Sequence, residues 1–235
     1  MIPKLNDKPQ YEMTIPSTNT DIKFRPYLVK EEKVLMMAFE SQDQKAALNA
    51  IVDTVRACVD TEINTEELKL YDVEYMFTKI RAKSVGENVK LIFTCSDCQT
   101  ENTESVNIDN ISVVGSDIEN VIDINEDISV EMTYPEYQKM IRNDKIVEPD
   151  SEVTTTLELV TDCISCINTP EEKILVKNEP REKLVEFVES MTNDQFAKLR
   201  TYVESMPRVE INHNYVCKGC QAKKEVKIRN ISDFF

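Results

Sequence analysis

Apolar positions recur along the chain with two different periods, and the changes between them mark out its segments. Residues 11 to 29, YEMTIPSTNTDIKFRPYLV, alternate weakly, and Pro16 and Pro26 restrict any strand there to short edge pieces. An extended arm or a two-stranded ribbon is expected. From Lys30 to Val59 the spacing turns helical: Val34, Leu35, Ala38 and Phe39, then Ala47, Leu48, Ile51, Val52, Val55 and Val59, recur at three and four. That predicts two helices or one broken helix. Val73, Met76, Phe77 and Ile80 form the stripe of a third helix from Leu70 to Lys83, and Asn88 to Thr94 reads as a strand leading into CSDC.

Further along, VIDINEDISVEM alternates like two strands joined by Asn125 to Asp127, which favours a hairpin. Tyr134 to Ile141, Thr156 to Ile167, Arg181 to Ser190 and Asp194 to Met206 carry helical patterns, with Thr192 placed to cap the last and Pro207 to end it. The closing EINHNYVCKGCQAKKEVKIRNISDFF has strand, tight turn and strand character. The sum is an α+β fold, mostly helical, with small antiparallel β elements near the cysteine motifs. Its expected organisation is an arm (1–29), a helical region (30–90), an acidic β region (91–133), a second helical region (134–210) and a closing segment (211–235).

Charge and composition narrow the function. The 235 residues carry 28 Lys+Arg against 43 Asp+Glu, a formal net charge of −15, and such a field repels a phosphate backbone. Generic nucleic-acid binding is disfavoured. Three glycines, Gly86, Gly115 and Gly219, are too few and too scattered for a GxGxxG turn or a P-loop. The single histidine, His213, leaves no multi-histidine metal centre, and no GxSxG elbow accompanies it. These absences point away from an enzyme. No run approaches 18 apolar residues, and MIPKLNDKPQYEM lacks the apolar core of a secretory signal, so a soluble intracellular chain without membrane contact is expected. From Leu91 to Gln138 there are eleven carboxylates and no lysine or arginine.

In a reducing compartment, regularly spaced cysteines are more often metal ligands or core residues than disulfides. FTCSDCQTENTESVNIDNI from Phe93 aligns with YVCKGCQAKKEVKIRNI from Tyr215, with two residues fewer after Gln221. Each is an aromatic, any residue, CxxC, Gln, a polar turn and an alternating strand, the outline of a zinc knuckle. Tetrahedral zinc takes four ligands, so Cys95 and Cys98 would meet Cys217 and Cys220 around one structural Zn²⁺ in a ribbon-like Cys₄ site. Their separation of 119 residues is tolerable. Loop closure costs only about 0.6 kcal/mol per doubling of length, whereas structural zinc contributes on the order of 10 kcal/mol in small finger peptides. The first knuckle is acidic and the second carries Lys218, Lys223, Lys224, Lys227 and Arg229 against Glu225, which favours their juxtaposition. Two rival readings stand beside this one: two buried CxxC turns without metal, and a redox dithiol, for which the βαβ context is missing.

Other candidate sites reduce to simpler roles. Cys163 and Cys166, set among Leu159, Val160, Ile164 and Ile167, read as small core residues in a helix, and Cys58 likewise. His213, four before Cys217, reads as a strand residue on the approach to the knuckle. DINEDISVEMTY spaces Asp123, Asn125 and Asp127 as a calcium loop does, but Ile128 and Tyr134 stand where Gly and Glu are required. Carboxylate pairs such as Glu31/Glu32 and Glu66/Glu67 have no neighbouring motif to set one as acid and the other as base.

Four stretches taken in order, IPSTNTDIKFRPYLVKEEKVLMMAFES, the middle CxxC block, EKLVEFVESMTNDQFAKLRTYVESMP and CKGCQAKKEVKIRNISDFF, resemble the baseplate hub and hub-assembly proteins of T-even-like contractile-tailed phages. The resemblance implies a late viral protein of tail morphogenesis, in the host cytoplasm during assembly and then in the virion tail. Its implied partners are other tail baseplate and hub proteins, with tape-measure or spike components among the candidates. Lys30, Glu31 and Glu32 fall in the most family-like stretch, implying a structural or contact role, and Phe234 and Phe235 are expected in a core or a partner's groove. The alternative is a zinc-ribbon regulatory protein that contacts nucleic acid or polymerase through its basic last strand.

Overall fold

The computed structural model describes residues 8–115, 118–147 and 151–229. Phe234 and Phe235 lie outside the described residues. In chain order the elements begin with β1 (Tyr11–Ile15), β2 (Thr20–Phe24), α1 (Val29–Glu40), α2 (Gln44–Cys58) and α3 (Leu70–Val85). There follow β3 (Asn88–Thr94), β4 (Glu101–Asn107), β5 (Ser112–Val114), β6 (Val121–Asp123), β7 (Ser129–Met132), α4 (Tyr137–Arg142), α5 (Asp144–Val147) and α6 (Glu152–Cys163). The last are β8 (Ile164–Asn168), β9 (Lys173–Leu175), α7 (Arg181–Glu189), α8 (Asn193–Ser205), β10 (Arg208–Val216) and β11 (Lys223–Ile228). The fold is α+β, as the periodicities predict, and every strand pair is antiparallel.

The chain forms two compact units. The first comprises Met1–Thr65, Tyr71–Val114 and Arg208–Phe235, and the second Glu66–Leu70 and Gly115–Pro207. Charge divides unevenly between them. By sequence the first unit has 20 acids and 18 bases, net −2, and the second has 23 acids and 10 bases, net −13.

In the first unit the expected arm is a ribbon: β1 and β2 pair from Tyr11↔Phe24 to Ile15↔Thr20 and bury Met13, Ile15, Ile22 and Phe24 at every second position. The turn is tied down by the Ser17 amide, which donates to the Asp72 carboxylate of α3. Two separate helices, α1 and α2, fill the Lys30–Val59 region. Asp43 caps α2 by accepting the Ala46 amide at 2.8 Å. Val73, Met76, Phe77 and Ile80 of α3 are fully buried, so that stripe is the core face expected of it. Cys58 is core as well, and burial pushes its thiol up to about 11. The helix α1 departs from expectation, because Leu35 is its single buried apolar residue while Val34 is 55% exposed.

The second unit packs α4 to α8 with a sheet in the order β6-β7-β8-β9. Its core gathers Val130, Met132, Val160, Cys163, Ile164, Leu199 and Tyr202. The β6–β7 hairpin forms where expected. Asn125 makes its turn: the side-chain oxygen accepts the amides of Asp127 and Ile128, so it serves the backbone and not a calcium ion. Thr192 caps α8 in a reciprocal box with Gln195.

Two expectations are corrected here. The helix expected from Thr156 to Ile167 stops at Cys163, and Ile164–Asn168 continues as β8, with Val130 opposite Ile167 and a bulge at Glu131/Met132. Ile164, Cys166 and Ile167 satisfy both a helical and a strand pattern, and the free edge of β7 decides for the strand. Cys163 and Cys166 are both buried, so the core reading of their CxxC holds although the helix does not run through it. Similarly, the helix expected from Tyr134 begins only at Tyr137, because Pro135 bars its predecessor from the helical region. The short β9 and α5 carry too few residues for a period to show.

One buried carboxylate organises the polar side of the second unit. Glu158 on α6 meets Lys145 at 2.9 Å, Asn143 at 3.1 Å and Arg181, which also reaches Asp162. Burial acts to raise the Glu158 carboxyl, but the hydrogen bonds from Lys145, Asn143 and Arg181 outweigh it and hold it at about 2. A depressed carboxylate contributes stability above its unfolded pKa and loses it as pH falls toward the folded value. Glu158→Gln is therefore expected to cost about 1–3 kcal/mol at neutral pH. Urea titrations between pH 7 and pH 2 should show the variant's deficit shrinking as pH drops below about 4.5.

Candidate metal centre

Two hairpins of the first unit carry the cysteine turns. β3 and β4 pair from Asn88↔Asn107 to Thr94↔Glu101, and β10 and β11 pair from Ile211↔Ile228 to Val216↔Lys223, with β5 on the other side of β10. Alternation along β3 and β4 buries Val106, with Ile108 beyond the strand also enclosed. Asp109 then takes Lys79 and Lys83 of α3 at 3.1 Å each, which ties the first hairpin to the helical core.

The two turns are built alike. In the first, the Cys95 amide donates to the Thr100 carbonyl at 3.0 Å and the Gln99 amide to the Cys95 carbonyl at 2.9 Å. In the second, the Cys217 amide donates to Ala222 at 3.0 Å and the Gln221 amide to Cys217 at 2.9 Å. Gln99 and Gln221 both stand in the left-handed region, at φ of 59° and 61°. This conformation folds the strand back after the second cysteine, so both thiols of a turn project to the same side. The internal repeat read from sequence is thus a repeat of backbone geometry.

All four thiols meet. Cys98 Sγ lies 3.5 Å from Cys217 Sγ, Cys95 Sγ lies 3.8 Å from Cys220 Sγ, and all four lie within 4.8 Å of one another. A tetrahedron of thiolates at about 2.3 Å from zinc has sulfur–sulfur edges of roughly 3.8 Å, so the donor set and its spacing fit that ion. Cys95 and Cys217 are buried, whereas Cys98 and Cys220 are exposed. Backbone amides of Cys220 and Gly219 aim at Cys217 and, with Cys98 and Asn102, bring its thiol down to about 6. Hydrogen bonds from Thr100 lower Cys98. At Cys220 the Ala222 backbone acts to lower the thiol, but crowding by Cys98, burial and the remaining two thiols hold it up at about 11. Four thiols this close share protons, and a bound cation would take the place of those protons.

Contacts between the hairpins are reciprocal. The position three after the second cysteine's glutamine is Asn102 in one and Lys224 in the other, and each reaches the opposite turn. Asn102, fully buried, accepts the Lys218 amide at 2.8 Å and donates toward Cys217 Sγ at 3.6 Å. Lys224 pairs with Asp97 at 2.7 Å and Ser96 at 3.0 Å. Among the described residues the opposite charges of the two knuckles thus meet through the Lys224–Asp97 ion pair. Asn102 was not singled out by sequence reading. Its place in the aligned repeat, matching Lys224, was the available signal. Phe93 and Tyr215, each two before a first cysteine, stack at 5.7 Å, and His213 lies on β10 against Phe93 at 6.0 Å, as a strand residue outside the thiol cluster.

Of the other candidate residues, Glu31 is buried and turned inward. It accepts the Leu28 amide at 2.8 Å, capping α1, and pairs with Arg25 at 3.0 Å. Lys30 is exposed and Glu32 half-buried.

Small antiparallel β elements, helices and a clustered Cys₄ set define an α+β protein with a candidate metal centre. The chain matches the family of T4 bacteriophage base plate proteins over residues 8–235, and it belongs to that family. No curated protein and no solved structure matches it. Among the described residues no helix is long and apolar enough to cross a membrane.

Gly219 stands where the second turn lies close against the first. A Cβ there would lie 2.3 Å from Thr100 Oγ1 and 3.2 Å from Cys98 Sγ. Gly219→Ala is expected to cost about 1–3 kcal/mol by thermal or urea unfolding. Adding Thr100→Ala, which removes the nearest atom, should recover part of that loss.

Proposed function

We propose that this baseplate protein is a structural or assembly subunit of the central hub, acting through protein–protein contacts, with its first unit closed by one zinc ion on Cys95, Cys98, Cys217 and Cys220. The observation that carries the reading is the meeting, within 4.8 Å of one another, of four thiols from turns 119 residues apart. The Asn102–Lys218 hydrogen bond, the Lys224–Asp97 ion pair and the Phe93–Tyr215 stack also join the turns, and an ion on the four thiols would add to them against loop-closure entropy. Bound Zn²⁺ would add a rigid cross-link between the hairpins, and Asn102 and Lys224 would orient the turns around it. A hub subunit needs firm surfaces, and a closed four-thiolate site leaves no open position for catalysis.

Partners on this reading are the other tail and hub proteins, with spike or tape-measure components among them, and the place of action is the assembling tail. A nucleic-acid role for the basic last strand receives less support. Lys224 is paired with Asp97, and Lys227 and Arg229 are paired with the buried Glu210, so much of that positive charge is neutralised within the same unit.

Elemental analysis of gently purified protein is expected to give about one zinc per chain. Cys95→Ser or Cys217→Ser should abolish that zinc and cost several of the on the order of 10 kcal/mol that a structural site supplies. Cys163→Ser should keep the zinc and cost about 1–3 kcal/mol for a buried hydroxyl. Metal near zero in the wild type, or equal losses in all three variants, sinks the zinc assignment. For the hub role, co-expression with other tail proteins should yield a complex free of DNA. Retention of DNA with a steep salt dependence would instead support the regulator reading.

A further inference from the structure

The helix α1 spends little apolar surface on its own unit. Val34, Met36 and Met37 are more than half exposed, Val29 is 80% exposed, and Val85 at the end of α3 is exposed at the edge of the same region. These are five of the ten large apolar side chains that stand out among the described residues, so the exposure is a patch and not a scatter. Beside Met36 opens a cleft of about 290 Å³, walled by Tyr27, Leu35, Phe39 and Val85 together with the charged Glu32, Glu40 and Arg81. Adjacent methionines suit such a surface because their unbranched, polarisable side chains adapt to what packs on them.

The charges on this helix indicate the occupant. Lys33 and Glu40 are exposed, one heptad apart on one face, and among the described residues neither has an ion-pair partner. They stand equally far from the point between Met36 and Met37. Two α1 helices laid antiparallel about a two-fold axis through that point set each Lys33 against the other copy's Glu40, and each Met36 against the other's Met37. The face is complementary to itself in charge and in apolar content, which is what an isologous contact requires. A partner helix of a single charge would meet one matched and one repelling end. The first unit is also nearly neutral, at −2, whereas the second, at −13, would resist a contact between copies.

We propose that α1 is a homodimer contact: two copies of this chain pack α1 against α1 antiparallel, with the four methionines at the centre and two Lys33–Glu40 pairs at the ends. Twelve residues of helix span about 18 Å, so the contact is small and the dimer weak and concentration-dependent. The inference rests on α1 alone and stands whether or not the four cysteines hold zinc.

Sedimentation velocity on the full-length wild-type protein, from about 1 µM to about 1 mM, is expected to show a monomer–dimer equilibrium. Lys33→Glu and Glu40→Lys should each weaken it about tenfold or more, and the double variant Lys33→Glu/Glu40→Lys should restore it, because the pairs are re-formed with reversed sign. Met37→Asp should abolish it, with unchanged circular dichroism showing that this exposed substitution leaves the fold intact. A monomer throughout the range overturns the proposal. So does a dimer indifferent to the single charge reversals, a double variant that fails to recover, or a monomer whose α1 is instead covered by another tail protein.

Discussion

Closure of a discontinuous unit is the constraint on which this protein depends. The chain leaves the first unit at Val114 and returns at Arg208, and between those points lies nearly all of a second unit with its own core. Two devices hold the returning segment in place. One is the short pairing of β5 with β10, three residues long. The other is the meeting of the two cysteine turns, where Phe93 stacks on Tyr215, Asn102 receives the Lys218 amide and four thiols converge. Without the second device, β10 and β11 would be a hairpin with one short edge to grip. A two-stranded hairpin alone is marginal in water.

That arrangement also explains the residue types at the turns. Left-handed glutamines follow both CxxC motifs because the chain must reverse immediately after presenting two thiols. Glycine stands at 219, where Asp97 stands in the first turn, because the hairpins touch there and Thr100 leaves no room for a Cβ. Charge is used in the same economical way. Asp97 and Lys224 join the turns, and Glu210 gathers Lys227 and Arg229 on the flank. The large surplus of acid is left to the second unit.

Much of this was legible in the chain by itself. The amphipathic stripe of α3, the β6–β7 hairpin with its Asn125 turn, the Thr192 cap and the boundaries of β3 are local matters, set by side chains within a few residues of each other. The pairing of the two knuckles was legible for a less usual reason: the motif occurs twice with the same order of aromatic, cysteine and glutamine, and tetrahedral coordination demands four donors. Tertiary structure decided what no local period can carry. ISCIN became β8 because β7 offered an unpaired edge, Glu31 became a buried cap because Arg25 stood opposite it, and Asn102 became the link between turns only once they met. The helix α1 shows the limit most clearly. Its sequence specifies a helix with apolar residues on several sides, but which of them face the core depends on where α2 and α3 lie, and those neighbours take Leu35 and leave Val34, Met36 and Met37 in water.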